Sequence, residues 1–260
     1  MKVAVVSIAT GKYIDFLDKW AATVREHFLP GAEKRMFVFT DAVIEVAPDL
    51  TLVPVGQLPW PLTSLFKFRY FKTLAERLGQ YDVIVHMDMD MYVANAVDED
   101  ELLGGGLPFF GVRHPYWRGD GVRFFESNPE SNAYIGRRDR RVTCYWQGCF
   151  WGGKSADVLR LIDECNAGVE RDLNRHIIAR WYDESHLNKF FLQQQGFVKT
   201  LSPSFAYPEF WDGPDERKIV HIEKDDAAYQ AYLVAFDSPR YRWLGRLREP
   251  LRRAKKWAFK

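Results

Sequence analysis

Short apolar runs alternate with helical spacing through the first third of the chain, and this constrains the fold more than any other feature. Residues 3–9 read as a strand. Residues 13–28 carry Phe16, Leu17, Trp20, Ala21 and Val24 at helical spacing. Residues 36–39 form a second strand closed by Thr40-Asp41. Residues 51–55 form a third, placed near an edge by Pro54. Residues 65–78 read as a helix stopped by Gly79, and residues 81–87 as a fourth strand. Such alternation implies parallel strands joined by crossover helices. Pockets in these sheets open at the carboxyl ends of the strands. Thr40-Asp41 and Asp88-Met89-Asp90 fall there.

The second half is less regular. Residues 109–112 and 197–201 read as strands. Residues 156–169, 173–181 and 183–195 read as helices, the last capped by Gly196. Residues 118–141 read as a long loop. Residues 142–153 interleave aromatic residues with glycines, which fits a core strand and a pocket wall equally well. The 260 residues suffice for a substantial core, and no stretch approaches the ~20 apolar residues of a spanning helix. Three cysteines cannot all pair within one chain and point to a reducing compartment.

The formal net charge of +1 argues against a nucleic-acid partner. It conceals an asymmetry. Residues 240–260 hold nine basic residues and one acid, a net +8, against −7 for residues 1–239. Trp243, Leu244, Leu247, Leu251, Trp257 and Phe259 are interleaved with those charges. This basic amphipathic tail suits an anionic membrane surface and, equally, a docked helix.

Three clusters carry chemistry. Asp88-Met89-Asp90 follows an apolar strand. Residues two apart in extended backbone point the same way, so both carboxylates can hold a hard divalent cation. Such a cation would neutralise a departing diphosphate. By itself the tripeptide also fits two solvated acids in a turn. The second cluster, Trp181-Tyr182-Asp183-Glu184-Ser185-His186-Leu187-Asn188, sets adjacent acids at a helix start, where the dipole favours them. Its leading aromatic residues suit sugar rings, which stack through C–H faces and need acceptors for their hydroxyls. The third, Cys144-Tyr145-Trp146-Gln147-Gly148-Cys149-Phe150-Trp151-Gly152-Gly153, lets backbone approach a ligand closely.

The second cluster joins several other stretches in a recognisable order. These are Phe37-Val38-Phe39-Thr40-Asp41, Asp88-Met89-Asp90-Met91, His114-Pro115, Asn132-Ala133-Tyr134-Ile135, Phe150-Trp151-Gly152-Gly153 and Leu201-Ser202-Pro203. Together they resemble the family 6 glycosyltransferases, which include the histo-blood-group A and B transferases and the α1,3-galactosyltransferase. Asp-Glu-Ser-His-Leu-Asn is the most specific of them.

The resemblance implies an α/β GT-A fold, with a Rossmann-like nucleotide-binding half and a mixed central sheet in a single continuous domain over residues 1–239. It implies retaining α1,3-transfer of galactose or N-acetylgalactosamine from UDP-Gal or UDP-GalNAc to a terminal galactoside, fucosylated or not. The acceptor would belong to a surface glycan or its lipid-linked precursor. By the same resemblance Asp88 and Asp90 would hold Mn²⁺, or Mg²⁺, with Met89 beside the donor. Ile8, Thr10 and Tyr13 would line the uridine pocket. Lys67 and Asp183 would lie at the donor sugar. Gln147, Gly148 and Cys149 would discriminate between donors, Cys149 leaning slightly to galactose. His114, Trp181 and Glu184 would contact the acceptor. Glu209 stands beside Pro208, where the family has an acceptor-contacting acid. Glu184 is also the candidate nucleophile, since retention needs a carboxylate beside the anomeric carbon. Lys224 is the candidate for a C-terminal contact that closes over the diphosphate. The chain is expected to be a short bacterial or phage-type member, held by its tail at the inner face of the cytoplasmic membrane. An inactive carbohydrate-binding relative and a UDP-sugar hydrolase are the competing readings.

Overall fold

The structure, a computed structural model, describes residues 1–117, 124–136, 138–139, 144–212 and 216–224. The tail at 240–260 and parts of the 118–141 loop lie outside the described residues. Strand β1 (Lys2–Ile8) leads through a 3-10 turn (Gly11–Phe16) into helix α1 (Leu17–His27). Strands β2 (Glu33–Thr40) and β3 (Leu50–Pro54) follow. Three short helices come next: α2 (Leu62–Leu65), α3 (Lys67–Lys72) and α4 (Ala75–Leu78). The Asp88-Met89-Asp90 turn separates β4 (Val83–Met87) from β5 (Met91–Val93). Then come α5 (Glu99–Leu103), β6 (Phe109–Arg113), β7 (Trp146–Lys154), α6 (Ser155–Asn174) and α7 (Tyr182–Gln193). Strands β8 (Val198–Leu201), β9 (Tyr207–Pro208) and β10 (Ile219–His221) complete the described elements.

A large mixed sheet has the order β3-β2-β1-β4-β7-β6-β8. β3, β2, β1 and β4 run parallel, β7 is antiparallel to both its neighbours, and β8 is parallel to β6. Alternate side chains feed two cores. Val3, Val5, Val85 and Phe150 meet Trp20, Val24 and Phe28 of the α1 layer. Ala4, Val6, Ile84 and Trp151 meet Phe71, Leu78, Leu161 and Phe191 of α3, α4, α6 and α7. Both faces are covered, which is why these strands read as unbroken apolar runs. A second sheet, β5-β10-β9, has no counterpart in the sequence reading.

Pro54 does sit on an edge strand, and Gly196 does follow α7 with a left-handed φ of +95°. Three helical expectations change. Residues 13–28 begin as a 3-10 turn before α1. Residues 65–78 break at Phe66 and again at Thr73-Leu74, because Phe66 and Leu74 leave helical backbone angles. The first break sets Lys67 at the head of α3. Residues 173–181 are not a helix. α6 runs on to Asn174, and His176 then turns the chain at φ +58°. Buried Asp172 accepts there from the main-chain N–H groups of Arg175 and Ile177 through its carbonyl. Of the aromatic and glycine-rich stretch, residues 146–153 belong to β7, a core strand through Phe150 and Trp151, and residues 142–143 lie outside the described residues.

Candidate active site

Lys67 ties the site together. Its side chain is buried at the head of α3. The ammonium meets Asp183 at 2.8 Å, the Gly148 carbonyl at 3.0 Å and Asp88 at 3.4 Å. Burial opposes the charged amine, but Asp183 and Asp88 outweigh it and hold Lys67 above the ordinary lysine value. Burial likewise opposes ionisation of Asp88, and Lys67 and His86 outweigh it, leaving that carboxyl well below its usual range. Burial pushes the Asp183 carboxyl up while Lys67 pulls it back. With an ammonium at hydrogen-bond distance, we take Asp183 as the ionised half of the pair.

Glu184 comes one residue later on α7. Its Oε1 accepts from the Tyr145 hydroxyl at 2.6 Å and its Oε2 from the Gly148 N–H at 2.7 Å. Burial raises its pKa to about 7 despite both bonds. A Cβ at Gly148 would lie 3.1 Å from the Glu184 Cβ, so a glycine there lets β7 approach this closely. Asn188, one turn on, exchanges two 2.8 Å hydrogen bonds with the main chain of Trp146 and so buttons α7 to β7. Tyr182 begins α7 at φ +53°, a strained angle costing a bulky residue about 1–3 kcal/mol. The turn it makes delivers Asp183 to Lys67 and Glu184 to Gly148.

The Asp88 N–H donates to the Cys149 carbonyl at 2.8 Å. The Gly148-Cys149 segment therefore joins the Asp88 turn to Glu184. Asp88 and Asp90 lie in a turn rather than in extended strand, so the turn and not strand alternation brings their carboxylates together. Asp88, Asp90 and His221 each offer a ligand atom, all within 4.8 Å of one another. Two carboxylates with an imidazole are a suitable donor set for a divalent cation. The Lys224 ammonium also contacts Asp90, so positive charge is drawn to this acid pair. The residues present fit a divalent cation.

The other candidates fall on either side. Ile8 and Thr10 stand at the carboxyl end of β1, beside β4, and the Tyr13 hydroxyl lies 3.5 Å from the Lys224 ammonium. The Met89 side chain is buried in the α1 core, so only its main chain can face a donor. The Gln147 amide reaches the Arg113 carbonyl at 3.4 Å, and the Cys149 thiol lies 3.7 Å from Gln147. The His114 Nδ1 accepts from the Tyr116 N–H at 3.2 Å, and burial lowers its pKa to about 4, so the ring is neutral. It stands 5.9 Å from the Tyr145 ring. Trp181 joins Phe125, Ile135 and Tyr145 in one cluster. The Glu209 carboxylate accepts from the Glu223 N–H at 3.0 Å, which ties it to the 219–224 segment, and Trp211, two residues on, has its ring 6.5 Å from that of Tyr116 beside His114.

Three residues here have no role in the sequence reading. Tyr145 bonds Glu184, and its place in the aromatic run was the available signal. His86 lies two residues before Asp88; its Nδ1 donates to the Val6 carbonyl at 3.0 Å and its Nε2 lies 2.9 Å from Asp88. His221 carries no local signal, because the second sheet alone brings it to Asp90.

The sequence profile of glycosyltransferase family 6 matches residues 1–232. The chain belongs to this family. It is 27% identical over 237 residues to the O-antigen biosynthesis glycosyltransferase WbnI of Escherichia coli, covering 86% of this chain and 96% of that one. It is 29% identical over 223 residues to histo-blood group ABO system transferase 1 of Rattus norvegicus, covering 80% of this chain and 61% of that one. It is 28% identical over 224 residues to alpha-1,3-galactosyltransferase 2 of Homo sapiens, covering 80% and 63%. The chain thus spans about three fifths of the length of these two animal relatives. Family membership supports a glycosyltransferase, and with it a nucleotide-sugar donor and a glycan acceptor.

Lys67→Met should destabilise this glycosyltransferase by about 3–5 kcal/mol in urea unfolding, because it leaves Asp183 buried without its cation. A second expectation concerns pH. The Glu184 pKa of about 7 lies above its ordinary value of 4.5, so between those values the folded state keeps a proton that the unfolded chain has lost. Stability contributed by the protonated acid is therefore lost as pH rises through that window. From pH 4.5 to 8 the unfolding free energy of the wild type should fall relative to that of Glu184→Gln, because the two proteins share every other titrating group.

Proposed function

We propose that the chain is a retaining α1,3-glycosyltransferase of GT-A fold that moves galactose or N-acetylgalactosamine from a UDP-sugar to a terminal galactoside. The acceptor belongs to a surface glycan or its lipid-linked precursor. One observation carries the reading: the Lys67 ammonium touches both Asp88 and Asp183, the neighbour of Glu184. A diphosphate held at Asp88 would present its sugar to Glu184.

Asp88 and Asp90 would hold Mn²⁺ or Mg²⁺, which supplies neutralising charge for the departing diphosphate. Ile8, Thr10 and Tyr13 form the uridine side, and Lys224 covers the diphosphate. Lys67 and Asp183 orient the donor sugar. The Glu184 carboxylate stabilises positive charge growing on the anomeric carbon as UDP leaves with the bonding electrons. Retention follows either from a covalent bond to Glu184 or from acceptor attack on the face UDP leaves. Tyr145 and the Gly148 N–H hold that carboxylate in place, and His114 and Trp181 line the acceptor side. Cys149 adds bulk beside the donor and leans the choice to galactose by no more than ~1–3 kcal/mol. The basic tail seats the enzyme on an anionic membrane face.

The test is a galactoside panel with UDP-galactose and UDP-N-acetylgalactosamine, with and without Mn²⁺, and product configuration read by NMR. We expect acceptor-dependent UDP release, an α-linked product and loss of turnover in EDTA. Glu184→Gln should keep UDP binding and lose about 100-fold or more in kcat, the scale of losing one aimed electrostatic group. UDP release indifferent to acceptor would make the chain a hydrolase instead, and near-normal turnover of Glu184→Gln would remove that residue from the reaction. Deleting residues 240–260 should abolish co-sedimentation with anionic vesicles while sparing turnover of soluble acceptors. Unchanged sedimentation would end the membrane assignment.

A further inference from the structure

We propose that His221 is a third protein ligand of the divalent cation, and that its imidazole biases the site towards transition ions over Mg²⁺. The proposal rests on the reading of Asp88 and Asp90 as cation ligands.

The second sheet carries the argument. β5 begins at the residue after Asp90. β10 pairs with it antiparallel in the register Ile219 with Val93, Val220 with Tyr92 and His221 with Met91. The Ile222 N–H then donates to the Asp90 carbonyl at 2.8 Å. On its other edge β10 pairs with β9, and the Glu209 N–H donates to the His221 carbonyl at 3.0 Å. His221 is thus held by main-chain bonds on both sides. Ile219 and Val220 are buried, whereas His221 is half-buried beside the acid pair.

Its Nε2 stands 3.5 Å from the Asp90 Oδ2. That is long for a hydrogen bond. It is close to the spacing of two neighbouring ligands on one ion, roughly 3–3.5 Å for bonds of about 2.1 Å. Asp88 completes the group. Mg²⁺ prefers oxygen and keeps its waters, whereas an imidazole nitrogen adds affinity for first-row transition ions. The ligand also sits three residues before Lys224, so the ion would anchor the segment that covers the donor.

Pulsed EPR of Mn²⁺ bound to the full chain, with and without UDP, tests this directly. The wild type should show the nitrogen modulation of a bound imidazole, and isotope-labelled histidine should change its frequency. His221→Gln should lose the modulation and weaken Mn²⁺ binding ~10-fold or more, with Mg²⁺ affinity changing less than about 3-fold. His86 remains in that variant, so modulation that survives there belongs to His86 and overturns the proposal. Bound Mn²⁺ without nitrogen modulation in the wild type also overturns it, and leaves Asp88 and Asp90 standing as ligands. Wild type that binds no Mn²⁺ overturns the proposal together with the cation reading. The labelled wild type decides the matter even if His221→Gln fails to fold.

Discussion

The site depends on one buried ammonium. Lys67 is surrounded by Asp183, Asp88 and the Gly148 carbonyl, each from a different part of the chain. A lone buried charge is costly, and each of these partners would be costly to bury alone. They are tolerable only together. The break in the helical run at Phe66 exists in the same place, and it is what aims Lys67 inward. Charge balance and backbone geometry therefore meet at one residue.

β7 does two jobs at once. Phe150 and Trp151 fill opposite cores, while the carbonyls of Gly148 and Cys149 a few residues earlier accept from Lys67 and from the Asp88 N–H. The antiparallel entry of this strand into an otherwise parallel neighbourhood brings its main chain alongside Asp88. The same stretch supplies an N–H to Glu184. Glu184 itself is held at a cost in stability: it is partly buried, and its proton affinity is raised. Tyr182 adds backbone strain beside it. Stored cost at this turn is consistent with a site selected for chemistry rather than for stability.

The small second sheet has a different logic. Its strands are only two or three residues long, although Met91, Val93 and Ile219 join the core on the α1 side. What they do is fix register. By pairing next to the Asp88-Met89-Asp90 turn they bring His221 and Lys224 to the acids from far along the chain. The same pairing ties the Glu209 carboxylate to the Glu223 N–H.

The sequence by itself determined the parallel strands, the edge position of Pro54, both acid clusters and their membership of one family, because these rest on local periodicity and on motifs a few residues long. Tertiary structure alone decided the broken helices around Lys67, the true end of α6, and the second sheet with His221. The helix breaks at Phe66 and Leu74 carry no glycine or proline to mark them in the sequence, and Phe66 packs with Leu62, Leu65 and Val169. Two- and three-residue strands carry no readable period, and their pairing joins distant parts of the chain. A hydrogen bond such as Tyr145 to Glu184 has the same character: both residues stand in the sequence, but only the packing of α7 on β7 makes them partners.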